Sequence, residues 1–290
     1  MSIKQMLLLL KTLPALIKYK VSLAVCFTAI SGYIVYKASI DMHLILLVLG
    51  VFILAGGASA LNEYQERNYD AKMERTKFRP IPSRKISPRN ALIISIILIF
   101  AGVLLLFLFF GKLTAILGLF NIFWYNLLYT YLKRITPFAV VPGSLTGAIP
   151  VLMGWIAAGG YIFESTIIFI SFFLFLWQIP HFWLLILKYG KEYEEAGFPT
   201  INCNVNSKNL KMIIFSWIIA TSASSIFVLF FILNTSMLFL VTILLLNIIF
   251  VGFFAKLTFA KHTELNLKKS IISINIYMFL FMILLAIYHL

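Results

Sequence analysis

The chain has 290 residues, 62% of them hydrophobic and 12% charged, with a formal net charge of +14. With positive mean hydropathy, so few charges cannot cover a domain of this size with a solvated surface, which excludes a water-soluble protein. The basic excess could suggest nucleic acid, but its placement along the chain argues against that.

A span takes about 20 mostly apolar residues, and nine such runs succeed one another: 17–36, 44–62, 91–111, 114–132, 138–158, 164–187, 212–233, 236–255 and 270–288. They are too long and too continuous for barrel strands, which alternate over about ten residues. Helices are the remaining way to satisfy the backbone in lipid. The expected fold is all-α, a polytopic integral membrane bundle of nine transmembrane helices. No linker, low-complexity stretch or soluble second domain is visible, so 1–290 reads as a single domain.

With nine spans, the basic residues segregate. Lys37 and Lys112 alone fall on one side, and the remaining Lys and Arg of the 24 fall on the other. Positive charge stays on the cytoplasmic face. The expected topology is a multi-pass protein of the inner (cytoplasmic) membrane, with its N-terminus in the cytoplasm and its C-terminus outside. The charge is chiefly a topology signal, so the expected surroundings are membrane lipid and no nucleic acid. Lysines precede the first apolar run without a small-residue cleavage site after it, the pattern of a retained helix. Cys26 and Cys203 are far apart in sequence and suggest no disulfide framework.

The outer loops are short and nearly chargeless, whereas two inner loops, 63–90 and 188–211, are long and carry clustered acids. They follow the second and sixth spans, as a weak duplication of a four-helix unit would require. In the first, Asn62, Glu66 and Asp70 are spaced four apart, and Asp70 is one of only two aspartates in the chain. On a helix continuing the second span, their oxygens line one face. Two carboxylates at that spacing repel unless a hard divalent cation sits between them. Magnesium takes one or two carboxylates together with substrate phosphates. Lys72, Arg75, Lys77 and Arg79 follow closely and suit phosphate oxygens. The plainer alternative is a solvated juxtamembrane loop whose charges only set topology.

The sixth span ends in Trp177-Gln178-Ile179-Pro180-His181-Phe182-Trp183, and Lys188 to Pro199 follow with Lys191, Glu192, Glu194 and Glu195. His181 is an ionisable side chain well inside a span, where such residues face a cavity or a partner. The alternative is a histidine bonded to a neighbouring helix. Pro180 is expected to kink the span and free a carbonyl, and Glu194 and Glu195 read as solvated. Lys133 and Arg134, ending the fourth span, are either positive-inside anchors or neutralise an anionic ligand. Gly143 and Gly147, four apart, favour close helix packing.

The run N-x-x-x-E-x-x-x-D-A-x-M-x-R-T-x-x-R-P over Asn62–Pro80 resembles the first signature of the UbiA-type intramembrane prenyltransferases, most closely their heme-modifying branch. W-Q-x-P-H-F-W with K-E-Y-x-x-A-G-x-P resembles that branch's second signature, in which an aspartate usually stands where this chain has Glu192. A second departure is Lys18-Tyr19-Lys20, where the family commonly has Lys-Pro-Arg; the missing proline puts a local bend in question. The resemblance covers nearly the whole chain, and the two signatures carry its specificity.

The resemblance implies a central cavity opening to the cytoplasmic side, with the two motifs facing each other across it. Mg2+ would be held by Asn62, Glu66, Asp70 and Glu192, and the diphosphate would meet Lys72, Arg75, Arg79, Lys133 and Lys191. His181 is an implied heme contact. The implied reaction moves a farnesyl group from farnesyl diphosphate to the vinyl group of heme b (protoheme IX), giving heme O. Heme A synthase is then an implied partner. The competing readings are a sibling enzyme acting on an aromatic quinone precursor, a secondary transporter and a structural oxidase subunit. R-T-x-x-R-P and W-Q-x-P-H argue against the first. The lack of charged midplane residues argues against the second, and the two acidic motifs against the third.

Overall fold

The computed structural model describes residues 11–200, 207–232, 236–259 and 266–290; Lys4, Cys203 and the outer loop at 234–235 lie outside them. The described residues are helical, with no strand among them. The chain runs as α1 (Tyr19–Lys37), α2 (Met42–Asp70), α3 (Pro88–Ile122), α4 (Leu145–Ala157), α5 (Ser165–Ala196), α6 (Ser207–Leu229), α7 (Met237–Phe259) and α8 (Leu267–His289). Short turns at Pro137–Ala139 and Val140–Gly143 lead into α4.

Eight of the described helical stretches are long and apolar enough to cross a membrane, and the third, Pro88–Leu132, has 45 residues. At 1.5 Å per residue a straight helix of that length would reach ~67 Å, about twice the hydrocarbon core. Gly111 resolves this: its φ of 81° and ψ of −178° break the helix, a conformation that glycine adopts without steric cost. Gly102 and Gly118, on either side of the break, both pack against Leu54. The stretch therefore folds back on itself as a hairpin and supplies two of the expected spans.

Glycine also sets how closely the helices cross. A Cβ at Gly57 would lie 2.8 Å from Ile99 N, and one at Gly102 would lie 2.8 Å from Leu54 N, so α2 and α3 exchange glycines at their crossing. In the same way Gly32 of α1 faces the Val151 carbonyl and Gly154 of α4 faces the Ala29 carbonyl. Lipid tails are as apolar as leucine, so close backbone approach of this kind is a main source of helix association in membranes. Gly143 and Gly147, expected to serve packing, abut the Tyr129 ring and the Gln178 amide.

Two apolar cores result. One joins α1, α2, α3 and α4 around Tyr33, Leu54, Leu106 and Met153. The other joins α4 to α8 around Trp155, Phe173, Phe254 and Phe281. Within the second, the buried Asn247 accepts from Ser222 (2.5 Å), Ser225 (3.1 Å) and Tyr277 (2.9 Å), so its carbonyl is satisfied by two neighbouring helices. At the Lys37 end of the bundle Asp41 caps α2 through Leu44 N and accepts from Tyr33 Oη and Lys37. Those bonds, Lys37 first, hold its carboxyl below the usual aspartate range.

Two helices are longer than a span requires. α2 has 29 residues and α5 has 32, so each extends ~13–18 Å past a ~30 Å hydrocarbon layer. Both extensions lie at the end opposite Asp41, and they carry the two acidic motifs. The kink in α5 is not at Pro180, where the backbone stays helical, but at Tyr189 (φ −113°, ψ 15°). Pro180 is buried, and neighbouring helices let a membrane helix tolerate a proline without bending. The bend nine residues later turns the last two turns of α5 onto the loop after α2.

Candidate active site

α2 stays helical to Asp70, so Asn62, Glu66 and Asp70 stack one turn apart on a single face. Their exposures are 2%, 4% and 0%, and acids that deep must be paired. Each ligand-type side chain meets one cation, and each cation comes from a different segment. Lys18 Nζ donates to Asn62 Oδ1 at 2.7 Å. Lys133, just past the α3 hairpin, ion-pairs with Glu66. Arg79 Nη1 donates to both oxygens of Asp70, at 2.8 and 2.6 Å.

The far wall comes from the end of the hairpin. There the helix widens into π geometry over Phe123–Tyr129, a form often found at functional sites. Asn62 Nδ2 donates to Thr130 Oγ1 at 3.1 Å. Gln65 and Asn126 bond reciprocally: Gln65 Nε2 to Asn126 O at 3.0 Å, and Asn126 Nδ2 to Gln65 Oε1 at 3.2 Å. Arg134 Nη2 donates to Gln65 O at 3.0 Å. The acidic face of α2 is thereby held in register with Lys133.

Burial and charge work against each other here. Burial, then repulsion from Arg79, pushes the Lys18 amine down to about 7, with Glu66 and Asp70 opposing. Burial also pulls Lys133 and Arg79 down, but the surrounding groups, Glu66 foremost for Lys133 and Asp70 foremost for Arg79, together hold both above their ordinary values. Lys18 also sits in left-handed backbone (φ 46°) between helical residues 11–16 and α1, which is costly for a residue with a Cβ. The bend that the missing proline had put in question is therefore present, made by Lys18 itself.

The loop after α2 closes the rim. Thr76 Oγ1 donates to the Asp70 carbonyl at 2.9 Å. Glu63, fully buried and one residue off the ligand face, accepts the Ile81 N–H on Oε1 at 2.9 Å, while its Oε2 has no partner. This bond lies two residues from Arg79 and ties the loop to the helix. A hydrogen bond to a charged group is worth about 1.5–3 kcal/mol. Glu63→Ala is therefore expected to raise tryptic cleavage at the exposed Arg84 and Lys85 several-fold, and Glu63→Gln, which keeps an acceptor, to leave it unchanged.

From the other half of the bundle, Glu192 Oε2 accepts the Arg75 N–H at 3.0 Å. The Arg75 guanidinium lies 4.8 Å from the Tyr189 ring centre and reaches Tyr193 Oη at 3.4 Å. Met73, Ala196 and Phe198 form a small apolar cluster beside them, with Tyr69 and Tyr193. The structure thus brings Asn62, Glu66, Asp70, Arg79 and Lys133 into one cluster and puts Glu192 and Arg75 at its rim. Lys72 and Lys191 are exposed, as are Glu194 and Glu195, with Glu194 bonded to Thr200.

Deeper in the bundle, aromatic rings line the approach. Tyr129, one turn before Lys133, stacks on Phe182 (5.9 Å, 7°). His181 stacks on Trp177 (5.1 Å, 23°), and its Nδ1 is buried without a partner. A pocket bounded by Tyr129, Lys133, Ile186, Tyr193 and Phe198 opens beside the cluster.

The sequence did not assign Lys18, Glu63, Gln65 or Thr130 to the site, although Lys18 stood out in the Lys18-Tyr19-Lys20 departure. Lys18 reads as one more cytoplasmic anchor, and its one signal is its place in the Lys-x-Lys run at the head of the first span. Gln65 and Thr130 carry no signal, because their partners are 61 and 68 residues away.

The donors facing one another are oxygens, two carboxylates and an amide, and cations surround them. Among the described residues no three His, Cys, Asp or Glu side chains converge on one metal position. That short oxygen set suits magnesium sharing its coordination with phosphate. Bundle and cluster together define a polytopic membrane protein with a buried acid–base site at one face. Residues 23–284 match the UbiA prenyltransferase family, and the chain belongs to that family; it is a membrane prenyltransferase.

Among its relatives, the protoheme IX farnesyltransferase of Neorickettsia sennetsu is 39% identical over 218 residues, 73% of this chain and 72% of that protein. That of Bartonella henselae is 41% identical over 204 residues, 69% and 65% of the two chains. A digeranylgeranylglyceryl phosphate synthase has the same fold, with TM-score 0.77 at 18% identity over 97% of this chain and 98% of that one. A UbiA homolog from Archaeoglobus fulgidus bound to GPP and Mg2+ matches with TM-score 0.64 at 12% identity, over 96% and 99%.

Proposed function

We propose that the chain transfers a farnesyl group from farnesyl diphosphate to the vinyl group of heme b, giving heme O. The observation that carries this reading is the buried ladder of Asn62, Glu66 and Asp70 facing Lys18, Lys133 and Arg79, in a chain about 40% identical to protoheme IX farnesyltransferases. The ladder's oxygens and Glu192 are the residues that would hold Mg2+, which supplies Lewis-acid stabilisation of charge on a leaving diphosphate. Arg79, Lys133 and Lys18 would hold its oxygens. Arg75, Lys72 and Lys191 ring the mouth.

The chemistry asks for this arrangement. The bond between the allylic carbon and the diphosphate oxygen breaks with its electron pair on oxygen, and preorganised cations lower the cost of that charge. The terminal vinyl carbon of heme bonds to the allylic carbon. Water adds to the neighbouring vinyl carbon and loses a proton. The aromatic lining at Tyr129, Phe182 and Trp177 keeps other water from the cation. His181, its Nδ1 otherwise unpartnered, is the proposed heme contact. We read 1–290 as one intramembrane domain in the inner membrane, with its N-terminus and this site in the cytoplasm. Heme A synthase would take up the product.

The test is to incubate purified protein with heme b, farnesyl diphosphate and Mg2+, and to identify the product by mass. Heme O is expected, and chelator should abolish it. Prenylation of an aromatic acid but not of heme b would overturn the assignment.

A further inference from the structure

The cations proposed to hold diphosphate are, in this structure, the counter-ions of the groups proposed to hold the metal. Lys133 is paired with Glu66, Arg79 grips both oxygens of Asp70, and Lys18 is bonded to Asn62. Glu63 lies alongside, buried and bonded through one oxygen only. The cluster is buried on its acidic side, so its charges act through protein and are screened little. Two of these pairs, Lys133 with Glu66 and Arg79 with Asp70, join opposite charges directly.

We propose that these internal pairs make metal and diphosphate binding mutually dependent: Lys18, Lys133 and Arg79 release the α2 ladder only when diphosphate replaces it, and the ladder accepts a divalent cation only when so released. This rests on the metal–diphosphate reading of the site given above. A divalent ion arriving alone would have to displace Arg79 from a two-oxygen contact and Lys133 from Glu66. It would leave both cations beside it without a counter-ion in a buried site. Diphosphate alone would meet Lys133 and Arg79 already neutralised and would crowd Glu66 and Asp70. Together the two ligands give every group an opposite partner again: Arg79, Lys133 and Lys18 turn to phosphate oxygens, and the carboxylates turn to metal.

The arrangement also has a use in the reaction. Lys133 and Arg79 can shield the carboxylates while the site stands open, so free metal does not occupy it. They come to face the diphosphate only in the complex that reacts. The partner exchange needs only short movements of long side chains. Arg79 lies on a loop held by Glu63, and Lys133 lies one residue past the hairpin's last helical turn.

The experiment titrates the full-length protein in detergent with Mn2+, read by electron paramagnetic resonance, with and without inorganic pyrophosphate. The known Mn2+–pyrophosphate complex in solution is subtracted. Coupling of about 100-fold is expected, at the upper end of ordinary linkage, and pyrophosphate affinity should gain the same factor from the metal. Arg79→Gln and, separately, Lys133→Gln should each bind Mn2+ alone at least about tenfold more tightly than the unaltered protein and shrink the coupling. Use of both variants guards against one failing to fold.

Equal Mn2+ affinity with and without pyrophosphate in the unaltered protein would overturn the coupling and leave the site assignment intact. So would charge-neutral variants that bind Mn2+ alone no better. If neither ligand binds in any combination, the metal–diphosphate reading itself falls, and the coupling falls with it.

Discussion

Asp70→Ala is expected to abolish prenyl transfer, by about 10³-fold or more, while the protein still inserts and purifies. Asp70 is 0% exposed and is the last residue of α2, at the end of the ladder, where both of its oxygens face Arg79. In the proposed mechanism it shares in placing positive charge where the diphosphate leaves, and losing one preorganised group of that kind typically costs 10²–10³ in rate. Removing a carboxylate that also orients Arg79 should cost more than removing either alone. The variant leaves Arg79 without its counter-ion, but that side chain is 23% exposed, so water can solvate it and folding should survive. Asp70→Asn retains the shape and loses the charge, and should be nearly as inactive. Turnover near that of the unaltered protein in either variant removes Asp70 from the mechanism.

Gly154→Val is expected to prevent the bundle from assembling. A Cβ at this position would overlap the Ala29 carbonyl, and the reciprocal contact at Gly32 with Val151 leaves α1 no room to slide away. Overpacking a tight site usually costs 1–3 kcal/mol. Here the obstacle is backbone, which cannot change rotamer, so the effect should exceed that range. The consequence reaches the active site, because α1 begins directly after Lys18 and its crossing with α4 sets where the Lys18 amine lies. Loss of monodisperse protein in size-exclusion chromatography is the readout. Gly252→Ala is the control, since nothing lies within 4 Å of a Cβ there. A Gly154→Val protein with an unchanged melting temperature would show that the crossing is not tight.

Much of the architecture was legible because lipid leaves few options. Apolar runs of span length become helices, and the segregation of lysine and arginine orders them. One place where span and helix diverged was Pro88–Leu132, where two expected spans form one helical stretch that turns at Gly111. The ladder was legible too, since a four-residue interval on a continuing helix puts Asn62, Glu66 and Asp70 on one face whatever surrounds them. The kink was misplaced, from Tyr189 to Pro180, because a proline's effect on a membrane helix depends on what packs against it.

Local periodicity and residue chemistry thus determined the helices, the acidic face of α2 and the kind of ligand that face suits. Which cation meets which ladder side chain was decided by tertiary structure alone. Lys18, Arg79 and Lys133 lie 44, 9 and 67 positions from their partners, and a sequence holds no rule that matches distant charges. Helix crossings do so, by bringing the head of α1, the rim loop and the end of the hairpin to one buried place. There, removal from water makes pairing obligatory.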